Sequence, residues 1–198
     1  MAAPSPEIWL IRHGETEWSG IGRHTGRTDL PLTAVGERQA AALRRPLAAH
    51  RFALVLSSPL RRAWDTCRLA GFEAVAHRAD DLMEWDYGAF EGFTADQIRA
   101  ERPGWSLWAD GAPGGETVEQ VAERARRITA QALQAGGDVA LFAHGHLLRI
   151  LATCWMGRPL AEAGSLKLGT ATLGILGRDG EAPVLRAWNV APGDLPQP

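Results

Sequence analysis

Apolar residues occur along the chain in two alternating patterns. Short continuous apolar runs are typical of strands buried on both faces of a sheet, whereas apolar residues spaced three or four apart are typical of amphipathic helices. The first pattern predicts strands at residues 7–12, 53–57, 73–77, 138–143, 171–176 and 184–188. The run at 73–77 is the weakest of these. Strands that alternate with helices in this way predict an α/β fold.

Polar residues and prolines mark the ends of the predicted helices. Thr33 is a predicted N-cap for a helix that reaches about residue 50 and is interrupted by Pro46. Ser58 and Pro59 predict the start of a second helix, which ends near residue 70. Further helices are predicted after Thr94, after Thr117 and after His144, the last ending near residue 156.

The predicted architecture is a three-layer sandwich, in which helices flank a mostly parallel central sheet. Residues 1–198 are expected to form one domain with frayed ends at 1–6 and 191–198. Two predicted strands end on the same dipeptide, His13-Gly14 and His144-Gly145. Because ligands bind beyond the carboxyl ends of the strands in such sheets, we expect both histidines at one ligand-binding edge.

Charge and composition exclude several classes of protein. The 198 residues carry 21 basic and 23 acidic side chains, a net charge of −2, which does not supply the basic surface that nucleic-acid proteins use. No apolar run approaches the roughly 20 residues of a membrane helix. The N-terminal segment does not resemble a secretory signal, so we expect a cytoplasmic protein without membrane or nucleic-acid partners.

The basic residues are almost all arginines. Lys167 is the single lysine among the 21 basic residues. Most of the arginines are expected to be solvated. On the predicted helices these are Arg44, Arg45, Arg124, Arg126 and Arg127, the last paired with Glu123.

Arg12, His13 and Gly14 bring a cation, a candidate nucleophile and a residue without a side chain to one strand end. A neutral imidazole attacks phosphorus when its other nitrogen is held as a hydrogen-bond donor, typically to a backbone carbonyl. Glycine is expected to let a ligand approach the backbone closely. These three residue types at one position predict a phosphoryl-transfer site.

A phosphoryl group also needs donors around its oxygens and a proton for the leaving oxygen. Arg12, Arg62 and His144 are expected to supply positive donors, since Arg62 lies in the first turn of the helix after the second strand. Glu84, in the predicted loop at residues 79–93, is expected to donate the proton.

These residues belong to a longer series of motifs. Arg12-His13-Gly14-Glu15-Thr16 resembles the signature of the histidine phosphatase superfamily, which includes the cofactor-dependent phosphoglycerate mutases. The resemblance continues through Ser57 to Ala63, Glu84 with Gly88, Glu91-Gly92 and His144-Gly145. It implies a phosphoglycerate mutase-like fold and phosphorylation of His13. It also implies that Arg12, Arg62 and His144 bind the phosphoryl group and that Glu84 acts as acid and later as base.

A narrower set of stretches resembles a group that contains actinobacterial acid phosphatases and fungal sedoheptulose bisphosphatases. They are Trp18 to Leu32, Glu84 to Gly88, Gly114 to Thr117 and Phe142 to His146. This narrower resemblance implies substrate contacts from His24, Thr25, Tyr87 and Arg149. Ser19 and Gly145, which belong to the superfamily motifs, are also expected to contact the substrate. The family usually has asparagine where this chain has Ser19, whose shorter side chain is expected to reach the phosphate through water.

Three functions are compatible with these motifs. A phosphatase for a small phosphorylated metabolite, acting through phosphohistidine, is favoured. A 2,3-bisphosphoglycerate-dependent phosphoglycerate mutase is the alternative; family mutases tend to be longer, whereas only residues 93–116 separate Gly92 from Thr117 here. A non-catalytic phospholigand-binding protein is the third, and it would not need Glu84 as an acid.

The expected partner is a small phosphorylated substrate. We expect no cofactor and no metal, because the histidines and Glu84 lack a metal-ligand spacing and Arg12 and Arg62 would repel a cation. His146 is expected to support the structure near the site. The oligomeric state is open between a monomer and a homodimer.

Overall fold

Six strands form one mixed sheet in the computed structural model, which describes residues 6–194. They are β1 (Ile8–Arg12), β2 (Leu54–Ser57), β3 (Ala76–Arg78), β4 (Val139–Ala143), β5 (Leu173–Asp179) and β6 (Ala182–Val190). The strand order is β3-β2-β4-β1-β5-β6, and the first four strands are parallel to one another. β5 is antiparallel to β1, and β6 is antiparallel to β5. The predicted mostly parallel sheet is confirmed.

Within residues 6–194, eight α-helices connect or precede these strands. They are α1 (Glu17–Gly20), α2 (Ala34–Ala42), α3 (Arg44–Ala48), α4 (Arg61–Leu69), α5 (Ala95–Glu101), α6 (Leu107–Asp110), α7 (Val118–Leu133) and α8 (Gly145–Trp155). Capping boxes at Thr94 and Thr117 open α5 and α7, as predicted. None of the helices in residues 6–194 is long and apolar enough to span a membrane.

Two apolar clusters cover the two faces of the sheet, which explains why its strands are continuous apolar runs. In β1, Ile8 and Leu10 belong to the cluster that includes α7 and α8, whereas Trp9 and Ile11 belong to the cluster on the other face, with residues of α3 and α4. Side chains alternate between faces along a strand, so a strand with both faces buried must be apolar throughout. The three-layer sandwich is therefore confirmed.

Two predicted helix boundaries are wrong. The helix after Thr33 breaks at Leu43 and not at Pro46, because a continuous helix would need the missing N–H of Pro46 for the carbonyl of Ala42. The helix after β2 begins at Arg61, because the amide of Ser58 still donates to the sheet, at 2.9 Å from the carbonyl of Phe142.

Some predicted loops and ends also differ from the structure. The predicted loop 14–32 contains α1, which is opened by a capping box at Thr16. The chain near its C-terminus forms a short 3-10 helix at Pro192–Asp194. Of the segments predicted to be frayed, 1–6 and 191–198, residues 1–5 and 195–198 lie outside the described part of the chain.

Candidate active site

The register of the sheet brings His13 and His144 to one edge. β1 and β4 are parallel neighbours with Arg12 opposite Ala143, so the residues that follow them lie at the same level. The amide of His13 donates to the carbonyl of Ala143 at 3.0 Å, and the two imidazole centres are 5.2 Å apart. The two His-Gly dipeptides therefore meet at the carboxyl edge, as the strand pattern predicted.

His13 is held as a neutral imidazole. Its Nδ1 lies 2.7 Å from the carbonyl oxygen of Gly14, which can only accept, so Nδ1 carries the proton and Nε2 keeps a free lone pair. Burial, and then the positive charges of Arg62 and Arg12, lowers the pKa of His13 well below its usual value. The ring is therefore in the protonation state that attack on phosphorus requires.

Gly14 is needed for packing and not for the expected approach of a ligand. A Cβ atom at this position would lie 2.3 Å from the carbonyl oxygen of Gly36 in α2. The Gly14 amide donates to Oγ1 of Thr66 at 3.0 Å. The expectation that Gly14 clears space for a ligand is wrong, because the backbone of α2 occupies the side on which its Cβ would lie.

Arg62 is fully buried and bonded mainly to other protein groups. Its Nε donates to Nδ1 of His144 at 3.1 Å, and its Nη1 donates to the carbonyl of Thr28 at 3.0 Å. Its Nη2 donates to the carbonyls of Thr25 and Gly26, both at 2.9 Å. A guanidinium has five N–H donors, so this arrangement leaves one free. A two-pronged contact of Arg62 to a phosphoryl group would therefore require it to release one of these bonds.

His144 is a neutral donor and not the cation that the sequence suggested. Because Nδ1 accepts from Arg62, the ring proton is on Nε2, which lies 2.8 Å from Oγ of Ser58. Burial, followed by the positive charges of Arg62 and then Arg12, lowers the pKa of His144 well below its usual value. His144 therefore carries no positive charge, and it can offer an N–H to a phosphoryl oxygen only by releasing the hydroxyl of Ser58.

Arg12 brings a positive charge to the cavity wall. Its Nη1 donates to the carbonyl of Leu168, and its Nε is buried with no hydrogen-bond partner within residues 6–194. A Cβ at Gly145 would lie 3.3 Å from the guanidinium carbon, so this glycine lets Arg12 pack against the start of α8. A buried N–H without a partner is costly, and a bound anion would satisfy it.

Glu84 is fixed at the N-terminus of α8. Its Oε1 accepts from the amides of Trp85 and Leu147, both at 2.9 Å, and its Oε2 accepts from the amide of His146 at 3.0 Å. The side chain is 5% exposed and contributes to the same cavity as His13. Three backbone donors therefore hold one carboxylate in a defined position beside the candidate nucleophile.

One cavity of about 600 Å³ brings most of the predicted site residues together. Nine of them line it: Arg12, His13, Ser19, His24, Thr25, Glu84, Tyr87, Gly145 and Arg149. Arg62 and His144 are fully buried and are not among the lining residues. A cavity of this size is in the range for small-molecule ligands and has room for more than a phosphoryl group.

A cluster of rings forms one part of the wall. Tyr87 and His146 share a hydrogen bond between the phenol oxygen and Nδ1, and His24 donates from Nδ1 to the carbonyl of Phe93 at 2.8 Å. Burial raises the pKa of Tyr87 and lowers the pKa of His146, so both rings of this pair are neutral. His146 also lines the cavity, and it therefore belongs to the site as well as to its support.

The remaining predicted contacts use most of their polar groups within the protein. The hydroxyl of Ser19 donates to the carbonyl of Thr16, and that of Thr25 donates to the carbonyl of Arg23. Direct donation to a phosphate would break these bonds. Arg149 donates to the carbonyls of Ala163 and Gly164 at 2.9 and 2.7 Å. Its guanidinium lies 4.4 Å from the centre of the Trp108 ring.

Comparison with known proteins identifies the family. The profile for the histidine phosphatase superfamily (branch 1) matches residues 8–191, which include all six strands and every predicted site residue. The chain belongs to branch 1 of the histidine phosphatase superfamily.

This histidine phosphatase is similar to named phosphatases over most of its length. It is 42% identical over 181 residues to an acid phosphatase of Mycobacterium tuberculosis, with 89% of each chain covered. It is 34% identical over 192 residues to sedoheptulose 1,7-bisphosphatase of Saccharomyces cerevisiae, with 79% of this chain and 70% of that protein covered. A solved structure of an open reading frame product from M. tuberculosis matches with a TM-score of 0.90 and 39% identity, covering 94% of this chain and 98% of that chain. The protein is therefore a phosphomonoesterase with a phosphoglycerate mutase-like fold, as the motifs predicted.

The histidine phosphatase braces Glu84 with an ion pair that the sequence did not predict. Arg124, expected to be solvated, is 8% exposed and makes a two-pronged contact to Glu116 at 2.7 and 2.8 Å. Its Nη1 also donates to the carbonyls of Asp81 and Met83, just before Glu84. The expectation for Arg124 is wrong because its partners come from two loops that sequence spacing does not connect to α7.

Glu116 completes this brace on the other side of Glu84. Its Oε2 accepts from the amide of Asp86 at 2.9 Å, and its carbonyl accepts from Nε1 of Trp85 at 2.8 Å. Burial alone would raise the pKa of Glu116, but the hydrogen bonds from Arg124 and from the amide of Asp86 outweigh it and lower the pKa. Glu116 therefore stays ionised and holds the loop that carries Glu84.

Arg127 also differs from its expected pairing. It makes a two-pronged contact with Asp81, at 2.9 and 2.7 Å, and not with Glu123. This exposed pair joins α7 to the loop before Glu84, as Arg124 does.

Within residues 6–194, His, Cys, Asp and Glu side chains do not form a group of three or more that could hold a metal ion.

Proposed function

We propose that this histidine phosphatase hydrolyses a small phosphorylated metabolite, such as a sugar phosphate, through a phosphohistidine on His13 and without a metal ion. One observation carries the proposal. The bond from Nδ1 of His13 to the carbonyl of Gly14 leaves Nε2 unprotonated, in a ring that lines the same cavity as Glu84 and Arg12.

In the first step, the lone pair on Nε2 of His13 forms a bond to phosphorus as the ester P–O bond breaks. The leaving alkoxide takes a proton from Glu84, which avoids the release of a strong base. Arg12 balances the negative charge on the phosphoryl oxygens, and its unpartnered Nε provides a donor for one of them.

In the second step, the Glu84 carboxylate takes a proton from water, and the water oxygen attacks phosphorus. The N–P bond breaks, and its electron pair returns to Nε2 of His13. Inorganic phosphate leaves, and Glu84 is again protonated for the next substrate. The same carboxyl group thus serves as acid and then as base, which requires the fixed position that three amides give it.

The fate of the phosphoryl group distinguishes a phosphatase from a mutase. We expect release of one equivalent of inorganic phosphate for each substrate consumed, in a panel of phosphorylated sugars, glycerates and nucleotides measured across pH. Isomerisation of 3-phosphoglycerate that depends on 2,3-bisphosphoglycerate and exceeds phosphate release would contradict the proposal. Stoichiometric binding of these compounds with no turnover would instead indicate a phospholigand-binding protein.

The brace around Glu84 yields a second expected result. Arg124→Lys keeps the positive charge but cannot contact both oxygens of Glu116 and two carbonyls at once, so Glu84 should lose its fixed position. We expect kcat for alkyl phosphates to fall about 10-fold, in line with partial loss of general acid catalysis. The KM should change little, since Arg124 does not line the cavity.

Arg127→Lys is the matched control, since it perturbs an exposed pair between the same helix and Asp81. Surface pairs contribute little, and this variant should retain wild-type kcat. If Arg124→Lys and Arg127→Lys lower kcat equally, or if Arg124→Lys lowers kcat/KM equally for alkyl phosphates and p-nitrophenyl phosphate, Arg124 does not act through Glu84.

A further inference from the structure

The cavity carries more positive charge than a single phosphoryl group needs. Among the described residues that line it, Arg12, Arg23, Arg149 and Lys167 are cationic and Glu84 is the single carboxylate. A phosphate monoester brings about two negative charges near neutral pH. Arg12 alone already serves the end of the cavity where His13 lies.

Arg23 and Lys167 have no partners for their charges. Both side chains are exposed, and within residues 6–194 neither forms an ion pair or a side-chain hydrogen bond. The other cations of the site are used differently, since Arg62 and Arg149 are bonded to backbone carbonyls. The two unpartnered charges therefore lie where the cavity meets solvent, whereas His13 is buried.

The backbone holds Lys167 in place although its ammonium is unpartnered. The carbonyl of Lys167 accepts from Nε1 of Trp188 at 2.7 Å, and the carbonyl of the next residue accepts from Arg12. Gly169 donates to Oδ1 of Asn189 at 2.7 Å. The single lysine of the chain thus extends from a segment fixed both to β6 and to Arg12.

Arg23 has a comparable anchor on the opposite loop. Its amide donates to the carbonyl of Trp18 at 2.9 Å, and its backbone forms an isolated bridge with Thr94. The guanidinium carbon lies 6.0 Å from the centre of the Trp18 ring. Two fixed backbones with free cationic ends face one cavity, so ordering them around an anion costs only side-chain entropy.

We propose that Arg23 and Lys167 bind a second anionic group of the substrate, a phosphate or a carboxylate, at the mouth of the cavity. This inference rests on the proposed function, because it assigns the other end of the same substrate. The preferred substrates are therefore bis-anions of small metabolite size, with one phosphoryl group at His13 and a second charge at the opposite end.

Matched pairs of compounds test this proposal. 3-Phosphoglycerate differs from glycerol 3-phosphate by a carboxylate, and fructose 1,6-bisphosphate differs from fructose 6-phosphate by a phosphate. Each is measured as a competitor of p-nitrophenyl phosphate hydrolysis, which gives an inhibition constant whether or not the compound is turned over. We expect the bis-anion of at least one pair to bind about 10-fold more tightly, and the pair that shows the preference identifies the second group.

The variants are Arg23→Gln, Lys167→Gln and the double variant, with Arg45→Gln as a control of equal charge change on α3. We expect the double variant to reduce the preference ratio about 10-fold and each single variant to reduce it about three-fold. Arg45→Gln should leave the ratio unchanged. Equal weakening of both members of a pair would overturn the proposal, because the two cations would then only attract any anion.

Absence of a preference in the wild-type protein would also overturn it. Hydrolysis of p-nitrophenyl phosphate needs no second anion, so it reports separately on the proposed function. If that hydrolysis is present and depends on His13 but no preference is seen, the second-anion site is wrong and the phosphatase mechanism stands. If that hydrolysis is absent, the proposed function itself fails.

Discussion

Replacement of His13 by alanine is expected to abolish turnover and phosphoenzyme formation together. His13 provides the lone pair that displaces the ester oxygen from phosphorus, so its loss removes the covalent pathway. Loss of an enzymatic nucleophile typically lowers kcat by about 10⁴-fold or more. The two effects should coincide because turnover passes through the phosphohistidine.

The measurement is a rapid quench of enzyme mixed with a labelled phosphate ester. The quench is alkaline and contains detergent, since the N–P bond of phosphohistidine is hydrolysed by acid. His77→Ala is the control, because His77 is exposed on the edge strand β3 and should retain both label and turnover. Thermal unfolding checks that His13→Ala is folded. Full turnover in His13→Ala would show that the mechanism is wrong.

The strand pattern predicted the layers and the meeting of the two histidines because both depend on local sequence. The run 139–143 is apolar throughout because both faces of its strand are covered. The helices that cover it are recognisable from the spacing of their own apolar residues. Parallel neighbours end at one edge, so His13 and His144 had to meet once β1 and β4 were paired. The boundaries were less predictable, since the start of α4 depends on the bond from Ser58 to β4.

The bonding of the arginines could not be predicted, because it depends on contacts between distant segments. Arg62 and Arg124 look alike in sequence, each being an arginine within an amphipathic helix. Arg62 donates hydrogen bonds to His144 and to loop carbonyls, whereas Arg124 donates to Glu116 and to carbonyls of the loop before Glu84. Only the path of the loops decides which carbonyls each guanidinium meets, and loop shape has no periodic signal.

These hydrogen bonds divide the positively charged residues of the site into two groups. Arg62 and Arg124 fix the geometry, because nearly all their donors are used within the protein. Arg12 keeps a donor that has no partner within residues 6–194, and the proposed mechanism uses this donor for the reacting group. Burial, followed by the charges of Arg62 and Arg12, keeps His13 neutral, whereas the free cations of the cavity are the ones that we propose to bind the substrate.

Glu84→Gln is expected to make the rate depend strongly on the leaving group. Glutamine has no proton to donate from a carboxyl group, so kcat/KM for an alkyl phosphate should fall about 10²- to 10⁴-fold. The value for p-nitrophenyl phosphate should fall far less, because nitrophenolate needs little protonation to leave. Since kcat/KM reports on the steps up to phosphorylation of His13, the difference between the two substrates isolates the acid role.

The base role of Glu84 gives a second signature in the same variant. Without a carboxylate to activate water, phosphohistidine should accumulate, and p-nitrophenyl phosphate should give a burst of about one equivalent of nitrophenolate per site before slow turnover. Glu91→Gln is the matched control, because Oε1 of Glu91 accepts from the amides of Gly26 and Thr28 in a similar way but does not line the cavity. It should lower kcat/KM equally for both leaving groups and give no burst. Equal losses of kcat/KM for both leaving groups in Glu84→Gln would show that Glu84 is not the acid. A missing burst would show that Glu84 is not the base, because phosphohistidine accumulates only when the activation of water is lost.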